Sequence, residues 1–167
     1  MTTSDKIEFK IIGQVRSRFK EQKGTPIQGK MAPEETAELI IAPEYAEGLK
    51  DLEGFSHIYV FFKFDRADHN KLLVKPYLDT EDRGVFSTRS PLRPNPLGMT
   101  IVRLERIEEN RLYVSGVDIL DGSPIIDIKP YIPDFDQHNP EKIGWYAKNQ
   151  KRSGKVLADD RFDKNSE

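Results

Sequence analysis

The sequence predicts a mainly β protein, a closed or nearly closed antiparallel-rich β-barrel with a few short helices. At least six short segments rich in Val, Ile, Phe and Tyr are separated by glycine, proline and Asx turn signals. Helical spacing of apolar residues is limited to one short stretch, residues 44–52. The chain of 167 residues fits one domain that is long enough to bury a core. Many short strands with little helix are typical of a barrel.

The first half of the chain supplies three predicted strands and one helix. Residues 7–15 predict the first strand, with Gly13 at a bulge or a close packing point. Residues 36–41 predict the second strand, and residues 44–52 a short helix. The nearly continuous β-branched and aromatic run at residues 56–64 predicts a core strand, buried on both faces or lining the barrel.

The second half continues with strands and turns after a long polar excursion over residues 67–83. Asn110 and the pair Asp121-Gly122 are the turn signals, and we expect antiparallel pairing of the strands around them. The predicted strands are residues 85–87, where a strand begins, 99–107, 112–120 and 125–128.

Composition and charge limit the classes of function. The chain is 37% hydrophobic and 32% charged, and no apolar run approaches the ~20 residues of a membrane helix. The N-terminus lacks the apolar core of a signal peptide and there is no cysteine, so the cytoplasm is the expected compartment and no membrane is expected as a partner. A formal net charge of −2 means that any nucleic acid would have to meet a local basic face.

The C-terminal part differs from the rest in composition. We expect residues 1–140 to form the barrel and residues 141–167 a basic, partly disordered extension, with disorder from Asp159 onward. Residues 142–157 contain five cations and no acid, beside Trp145. Two interpretations are open. Either the segment binds RNA through Lys148, Lys151 and Arg152, or it is a solvated helix whose Trp145 packs back on the barrel.

The loop between residues 84 and 102 is the most informative stretch. Its conformation is largely preset by three prolines and a glycine, Pro91, Pro94, Pro96 and Gly98. Arg89 and Arg93 lie in it with no carboxylate between residues 85 and 102. The loop either binds an anionic or π-rich ligand, or is a rigid surface crossover with solvated arginines.

Several common kinds of site lack their signature here. There is no glycine-rich dinucleotide or phosphate loop. His57, His69 and His138 are scattered and cysteine is absent, so no metal site is expected. No nucleophile elbow surrounds any serine, which leaves hydrolase chemistry without support.

Three strings carry a resemblance: LEGFSHIYVFF from Leu52, FSTRSPLRPNPLGMTIV from Phe86 and VDILDGSPIIDIKPYIPDFD from Val117. Through them the chain closely resembles the TrmO family, also called YaeB-like or TsaA-like, over about residues 7–136. The resemblance implies an S-adenosylmethionine-dependent methyltransferase that acts on tRNA, at N6 of threonylcarbamoyladenosine next to the anticodon. It also implies a homodimer. This chain has a short lysine-rich end in place of a clear second domain. We therefore expect its tRNA affinity to depend on more than this one chain, and a dimer would enlarge the binding face.

The resemblance implies two sets of site residues and no general base. Arg89 suits the carboxylate of the cofactor's methionine end, and Asp118 suits its ribose hydroxyls. The implied cofactor-binding positions are Pro26, Ile27, Gln28, Asp65, Arg66, Arg89, Met99, Ser115, Gly116, Val117 and Asp118. The candidates for substrate positioning are Arg93, Asn95, Asp121, Asp127 and Lys129.

Two other classes of function compete with the enzyme. One is a non-catalytic β-barrel RNA-binding module, and the other a small-molecule-binding or scaffold barrel. Stabilisation by S-adenosylmethionine that grows with its concentration separates the enzyme from the RNA module, because only a ligand that binds the folded state stabilises it by mass action.

Overall fold

A computed structural model describes residues 6–150 and 156–162. Six antiparallel strands close into a barrel in the order β1-β2-β7-β6-β3-β8, which confirms the predicted fold class. The barrel strands are β1 (Gly13–Ser17), β2 (Thr36–Ile41), β3 (His57–Lys63), β6 (Leu97–Glu108), β7 (Arg111–Ser115) and β8 (Pro124–Pro130). A separate two-stranded sheet consists of β4 (Leu73–Val74) and β5 (Arg83–Gly84). The helices are α1 (Pro133–Asp136) and short 3₁₀ helices at Gly29–Met31, Pro43–Leu49, Leu52–Gly54, Val85–Ser87 and Gly144–Lys148.

The barrel interior is filled by alternate residues of every strand, as the two-residue period of strands requires. Leu39, Ile58, Leu112 and Ile125 are completely buried there. Each such side chain contributes about 1.5–3 kcal/mol of hydrophobic free energy. The core is therefore a packed interior and leaves the ends of the barrel as the places for a binding site.

Strand β3 lies at the centre of the pairing, between β6 and β8. Ile58, Val60 and Phe62 point into the core, whereas Tyr59 and Phe61 are half-buried on the outer wall. The run of apolar residues thus lines the barrel and is not buried on both faces.

Gly13 begins β1 at a close packing point, as the sequence predicted. A Cβ atom at this position would overlap the carbonyl oxygen of Ile40 on the neighbouring strand. The predicted strand over residues 7–15 is wrong in its first half, because the ladder with β2 and β8 starts only at Gly13. Ile7, Phe9 and Ile11 alternate as in a strand but are 61–81% exposed.

Two further predicted elements differ from the structure. Residues 85–87 form a 3₁₀ helix and not the start of a strand, because Val85 turns inward and packs against Val74 and Leu92. The helix predicted over residues 44–52 is present as two 3₁₀ helices, divided where Asp51 adopts a left-handed conformation (φ 67°).

Strand β7 is shorter than the predicted run of residues 112–120. It ends at Ser115 because Gly116 (φ 74°) turns the chain, and Val117 and Ile119 then fill the core from outside the sheet. Asp121-Gly122 does form a turn, but the strands on either side of it are not paired. Strand β7 lies between β2 and β6, and β8 lies between β1 and β3.

The described C-terminal segment, residues 156–162, returns to the body of the protein. Leu157 forms an isolated antiparallel bridge with Pro26, and Ala158 is 4% exposed. The ring of Phe162 packs edge-on against Tyr77 with centroids 4.9 Å apart. Residues 159–162, for which the sequence predicted disorder, thus belong to a segment with defined contacts, and residues 163–167 lie outside the described residues.

Candidate functional site at one end of the barrel

One end of the barrel gathers the loops that carry most of the predicted site positions. Strands β1, β3 and β7 end there, and β2, β6 and β8 begin there, as the partners Ser17↔Ala37, Lys63↔Leu97 and Ser115↔Thr36 show. The connections at this end are residues 18–35, 64–96 and 116–123. Antiparallel pairing thus brings together loops that are far apart in the sequence.

Asp118 is the buried carboxylate at this end. Its Oδ2 atom accepts a hydrogen bond of 3.0 Å from the backbone N–H of Gly29. Its Oδ1 atom is inaccessible to solvent and accepts no hydrogen bond from the described residues. Burial raises the pKa of Asp118 to about 6, although Thr100, the Gly29 amide and the charge of Arg89 favour the ionised form. A buried acceptor without a donor is unusual in a folded protein, which marks Asp118 as a candidate site residue.

Arg89 lies next to this carboxylate and is held by Gln28. Its Nη1 atom donates a hydrogen bond to Oε1 of Gln28, and Nε2 of Gln28 donates to the carbonyl of Ile27 (2.7 Å). The guanidinium remains exposed, and the described residues offer it no ion-pair partner. Of the two open interpretations of the proline-rich loop, this arrangement favours the one that binds an anionic group.

The backbone around Asp118 fits tightly against the first loop. The Glu35 carbonyl accepts hydrogen bonds from the N–H groups of Gly116 (2.8 Å) and Val117 (3.3 Å). A Cβ atom on Gly29 would overlap the carbonyl oxygen of Gly116. Ser115 directs its hydroxyl to Glu105 on β6 (2.5 Å). Positions 115–118 and 26–29 therefore form one continuous wall, and the Ser115 hydroxyl is occupied within it.

The C-terminal segment, residues 156–162, packs against the loop that contains Pro26. Gly24 donates its N–H to the Ala158 carbonyl (2.8 Å), and Ala158 donates to the Thr25 carbonyl (2.9 Å). Arg161 fixes the segment by donating to the Pro76 carbonyl (2.7 Å). Sequence reasoning missed this contact, because a short apolar run in a polar tail does not indicate where the tail docks.

Asp65, Arg66 and Asp121 form a second group at the same end. Arg66 pairs with Asp65 (3.3 Å) and donates to the Asp121 carbonyl (2.7 Å). The Asp121 carboxylate accepts hydrogen bonds from Ser17 N–H (3.0 Å) and Lys20 (2.6 Å), and Lys20 holds its pKa below the ordinary value. Asp121 is thus engaged in fixing the turn, while Arg66 is half-exposed at the rim.

The rest of the proline-rich loop is rigid and polar. Arg93 donates its guanidinium N–H to the Thr88 carbonyl (3.1 Å) and its backbone N–H to the Pro91 carbonyl (2.8 Å). The Asn95 carbonyl accepts the N–H of Leu97 (2.7 Å), and Asn95 is exposed. These local bonds accompany the prolines, which fix their own φ angles.

Three predicted positions lie on the outer wall of the barrel, away from Asp118. The Met99 side chain is 42% exposed there, whereas Thr100 beside it faces Asp118. Asp127 and Lys129 on β8 pair with each other (2.8 Å). The alternation of side chains along a strand separates these residues from the Asp118 carboxylate.

The basic tail is described only in part. Lys148 ends the 3₁₀ helix Gly144–Lys148 and is exposed, while Lys151 and Arg152 lie outside the described residues. The Trp145 indole N–H donates to the Ser87 carbonyl (2.9 Å), so this aromatic residue packs back on the body of the protein. That contact agrees with one part of the solvated-helix interpretation, although the observed helix is a single short 3₁₀ segment.

Two surface depressions, of about 430 and 340 Å³, lie near the site, but neither is lined by Arg89, Gln28 or Asp118. The larger one is bordered by Arg18–Glu21, Lys23 and Gly24.

Over residues 6–150 and 156–162 there is no cluster of three His, Cys or acidic side chains that could hold a metal. Within the same ranges, every helix is too short or too polar to cross a membrane.

The sequence profile of the tRNA-methyltransferase O N-terminal domain matches residues 14–137, which include all six barrel strands except the first residue of β1. The chain belongs to this family. A probable S-adenosyl-L-methionine-binding protein of Pyrococcus abyssi is 47% identical over 154 residues, covering 92% of this chain and 84% of the relative. The tRNA (adenine(37)-N6)-methyltransferase of Mus musculus is 38% identical over 157 residues, covering 89% of this chain and 36% of the relative.

Solved structures of the family have the same fold. The crystal structure of TrmO from Pseudomonas aeruginosa superposes with a TM-score of 0.71 at 36% identity, covering 84% of this chain. This chain spans 63% of that TrmO chain, and about a third of the mouse relative. The family membership therefore concerns the barrel domain, which is the part that carries the Asp118 site.

The geometry brings together Gln28, Arg89, Ser115–Asp118 and the Pro26 loop among the cofactor positions that the family resemblance implied. Sequence reasoning missed Gly29, Thr100 and Ala158. Gly29 follows Gln28 and Thr100 follows Met99, so the predicted positions next to them could have indicated both residues. Nothing in the sequence indicated Ala158.

Proposed function

We propose that this chain is an S-adenosylmethionine-dependent methyltransferase that methylates N6 of threonylcarbamoyladenosine in tRNA, next to the anticodon. The observation that carries the proposal is the cluster of Asp118, Arg89 and Gln28 at the loop-bearing end of a barrel of the tRNA-methyltransferase O family. The names of the Pyrococcus and mouse relatives support the cofactor and the tRNA acceptor.

The residues of the site suit the polar groups of the proposed cofactor. Arg89 is exposed and lacks a carboxylate partner among the described residues, so it can bind the carboxylate of the methionine end. Asp118 offers a buried acceptor to ribose hydroxyls. Gln28 and the backbone from Pro26 to Gly29 offer donors and acceptors to the edge of an adenine ring.

The proposed reaction requires alignment more than acid–base catalysis. S-adenosylmethionine supplies an activated methyl group, so the protein must hold the acceptor nitrogen in line with that group. The urea carbonyl of threonylcarbamoyladenosine makes the N6 proton more acidic than that of a plain adenine amine. Asp118 is buried against the first loop, and we assign it to positioning and not to proton transfer.

The rigid loop from Arg89 to Pro96 and the segment from Asp118 to Lys129 would bound the acceptor site. Arg93, Asn95, Asp121, Asp127 and Lys129 are the proposed substrate-positioning residues. Arg93 and Asn95 lie on the rim near Arg89 and are the better placed, because Asp127 and Lys129 occupy the outer wall.

The test is mass spectrometry of tRNA nucleosides after incubation with the protein and S-adenosylmethionine. We expect one added methyl group on tRNA that contains threonylcarbamoyladenosine and none on tRNA that lacks this modification. Equal methylation of both tRNAs would show that the modification is not recognised. Methylation of neither, with cofactor binding demonstrated, would point to another acceptor.

A non-catalytic RNA-binding module is the competing function. It predicts that S-adenosylmethionine does not change the melting temperature, whereas the enzyme predicts a rise that grows with cofactor concentration. S-adenosylhomocysteine serves as a matched ligand without the methyl group. The same titration therefore separates the two functions before any tRNA is added.

A homodimer in the cytoplasm is also part of the proposal. The outer face of β6 presents Leu97, Met99 and Ile101, which are 38–42% exposed and alternate along one strand. Such an apolar row supports a contact with a second copy. Light scattering should give twice the mass of one chain, and Ile101→Lys should reduce it to that of a monomer. A monomeric parent protein would remove the dimer from the proposal.

A further inference from the structure

The aromatic residue immediately before the arginine loop is exposed. Phe86 lies in the 3₁₀ helix Val85–Ser87, three residues before Arg89, and its side chain is 76% exposed. Leu73 begins β4, where it pairs with Gly84, and Leu72 precedes it; the two leucines are 65% and 64% exposed. We refer to Leu72, Leu73 and Phe86 as the Phe86 patch. These apolar side chains face solvent beside the candidate site.

The Phe86 patch is held in a fixed conformation by the residues between its members. Val74, which follows Leu73, and Val85, which precedes Phe86, are buried, 4% and 1% exposed, in one cluster with Leu92 of the arginine loop. The Val85 N–H donates to the Leu72 carbonyl (2.9 Å). Within this 3₁₀ helix Val85 is therefore the buried residue, and Phe86 is left exposed.

Contacts also tie the patch to the site and to the tail. The Lys71 N–H donates to the Leu92 carbonyl (3.1 Å), which links the sheet to the arginine loop. Trp145 binds the carbonyl of Ser87, the residue that follows Phe86. An aromatic side chain of the tail thus borders the patch.

The charges around the patch favour a polyanion on the side of the site. Lys71 and Arg89 are exposed there, and Lys148 follows Trp145 in the tail. Carboxylates are concentrated at the far turn of the small sheet, where Asp79 and Glu81 are paired with Arg83 (2.8 and 2.7 Å) and Asp82 is exposed. Lys71 and Arg89 flank the patch in the chain, whereas these acids lie in the connection between β4 and β5.

We propose that Phe86 is a stacking platform for an unpaired base of the RNA substrate, adjacent to the adenosine that enters the site. The inference rests on the proposed function. Proteins that recognise single-stranded loops stack unpaired bases on exposed aromatic side chains and contact the phosphates with nearby cations. Phe86 supplies the aromatic face, and Lys71 and Arg89 supply the cations. A base stacked there would fix the direction in which the RNA approaches Arg89.

The test compares Phe86→Ala with Phe135→Ala. Phe135 is a matched control, because it is 74% exposed and lies on α1, outside the site. The probe is an anticodon stem-loop containing threonylcarbamoyladenosine, measured by fluorescence anisotropy and by methylation kinetics. We expect Phe86→Ala to weaken stem-loop binding by roughly 5- to 100-fold and to raise the KM for RNA. Phe86→Trp should bind as well as the parent protein, and S-adenosylmethionine affinity should be unchanged in all variants.

The possible outcomes separate this inference from the proposed function. If the parent protein methylates the stem-loop and Phe86→Ala behaves like Phe135→Ala, the stacking role is wrong and the enzyme stands. If Phe86→Ala loses cofactor affinity or melts at a much lower temperature, Phe86 has a structural role and the inference fails. A parent protein that neither binds nor methylates the stem-loop would overturn both.

Discussion

Gly29 and Asp118 are 89 positions apart in the sequence, yet the backbone N–H of Gly29 donates a 3.0 Å hydrogen bond to Oδ2 of Asp118. This bond joins the loop after β1 to the segment after β7. The other oxygen of this carboxylate, Oδ1, is buried and accepts no hydrogen bond from the described residues, and the charge of Arg89 favours the ionised form of Asp118. The arrangement leads to five predictions that concern separate contacts.

Replacing Gly29 should disturb the site more than its small size suggests. A Cβ atom in Gly29→Ala would overlap the backbone carbonyl of Gly116. Because a backbone carbonyl cannot rotate away as a flexible side chain could, the loop must shift. We expect a loss of roughly 1–3 kcal/mol in the free energy of unfolding and weaker S-adenosylmethionine binding. Gly48→Ala is the control, because a Cβ atom there meets nothing within 4 Å. Equal melting temperatures for the two variants would contradict the close fit.

Asp118 should make the protein less stable as the pH rises from about 4 to 6. Its pKa is raised by burial from 3.8 to about 6 in the folded state, so between these values the folded protein holds more protons than the unfolded chain. The contribution to the free energy of unfolding therefore decreases with rising pH, by up to about 3 kcal/mol.

The variant Asp118→Asn should lose this pH dependence, because an amide does not ionise. Urea denaturation at several pH values between 4 and 7.5 measures the slope, with Asp134→Asn, an exposed carboxyl on α1, as the control. Identical slopes for the parent and Asp118→Asn would show that this carboxyl is not the buried group that titrates.

Arg89 should contribute to cofactor affinity without contributing to the fold. Its guanidinium is exposed and donates a hydrogen bond to Gln28, so under the proposed function Arg89→Ala removes a charge-assisted contact with the cofactor carboxylate. We expect S-adenosylmethionine binding to weaken by roughly 1.5–3 kcal/mol in calorimetry, with an unchanged melting temperature. Arg103→Ala, on the outer wall, should leave the affinity unchanged. Parent-like affinity of Arg89→Ala would remove Arg89 from the site.

The C-terminal segment should stabilise the Pro26 loop. Ending the chain after Lys155 removes the hydrogen bonds of Ala158 to Gly24 and Thr25 and the contact of Phe162 with Tyr77. We expect a lower melting temperature and weaker cofactor binding, because the loop loses its support. Ending the chain after Phe162 keeps these contacts and should resemble the parent. If both truncated proteins bind the cofactor equally, residues 156–162 are not part of the site.

The basic tail should be tested by its dependence on salt. If Lys148, Lys151 and Arg152 contact tRNA phosphates, their joint replacement by Ala lowers tRNA affinity and flattens the plot of log affinity against log salt. Each lost contact should reduce the slope by roughly 0.7–0.9. Lys50→Ala is the control, because Lys50 is also an exposed lysine but does not belong to the tail. An unchanged slope for the triple variant would leave the tail as a solvated segment.

Elements with a local cause were predictable before the fold was known. Apolar or β-branched runs predicted the strands at residues 36–41 and 56–64, and alternation predicted the strand at residues 99–107, all to within two residues of β2, β3 and β6, because these signals act within one strand. Prolines predicted the rigid loop around Arg89 for the same reason, since each proline fixes its own φ angle.

The tertiary structure alone decided which strands pair and which loops meet. Residues 7–11 have a strand pattern but no neighbour in the barrel ladder, and residues 117–120 have the same pattern but follow a glycine that turns them out of the sheet. The contacts of Asp118 with Gly29, Arg89 with Gln28 and Ala158 with Thr25 each join distant positions. Such contacts depend on the closure of the whole barrel, because a hydrogen bond between distant residues forms only where the packed core brings its two ends together.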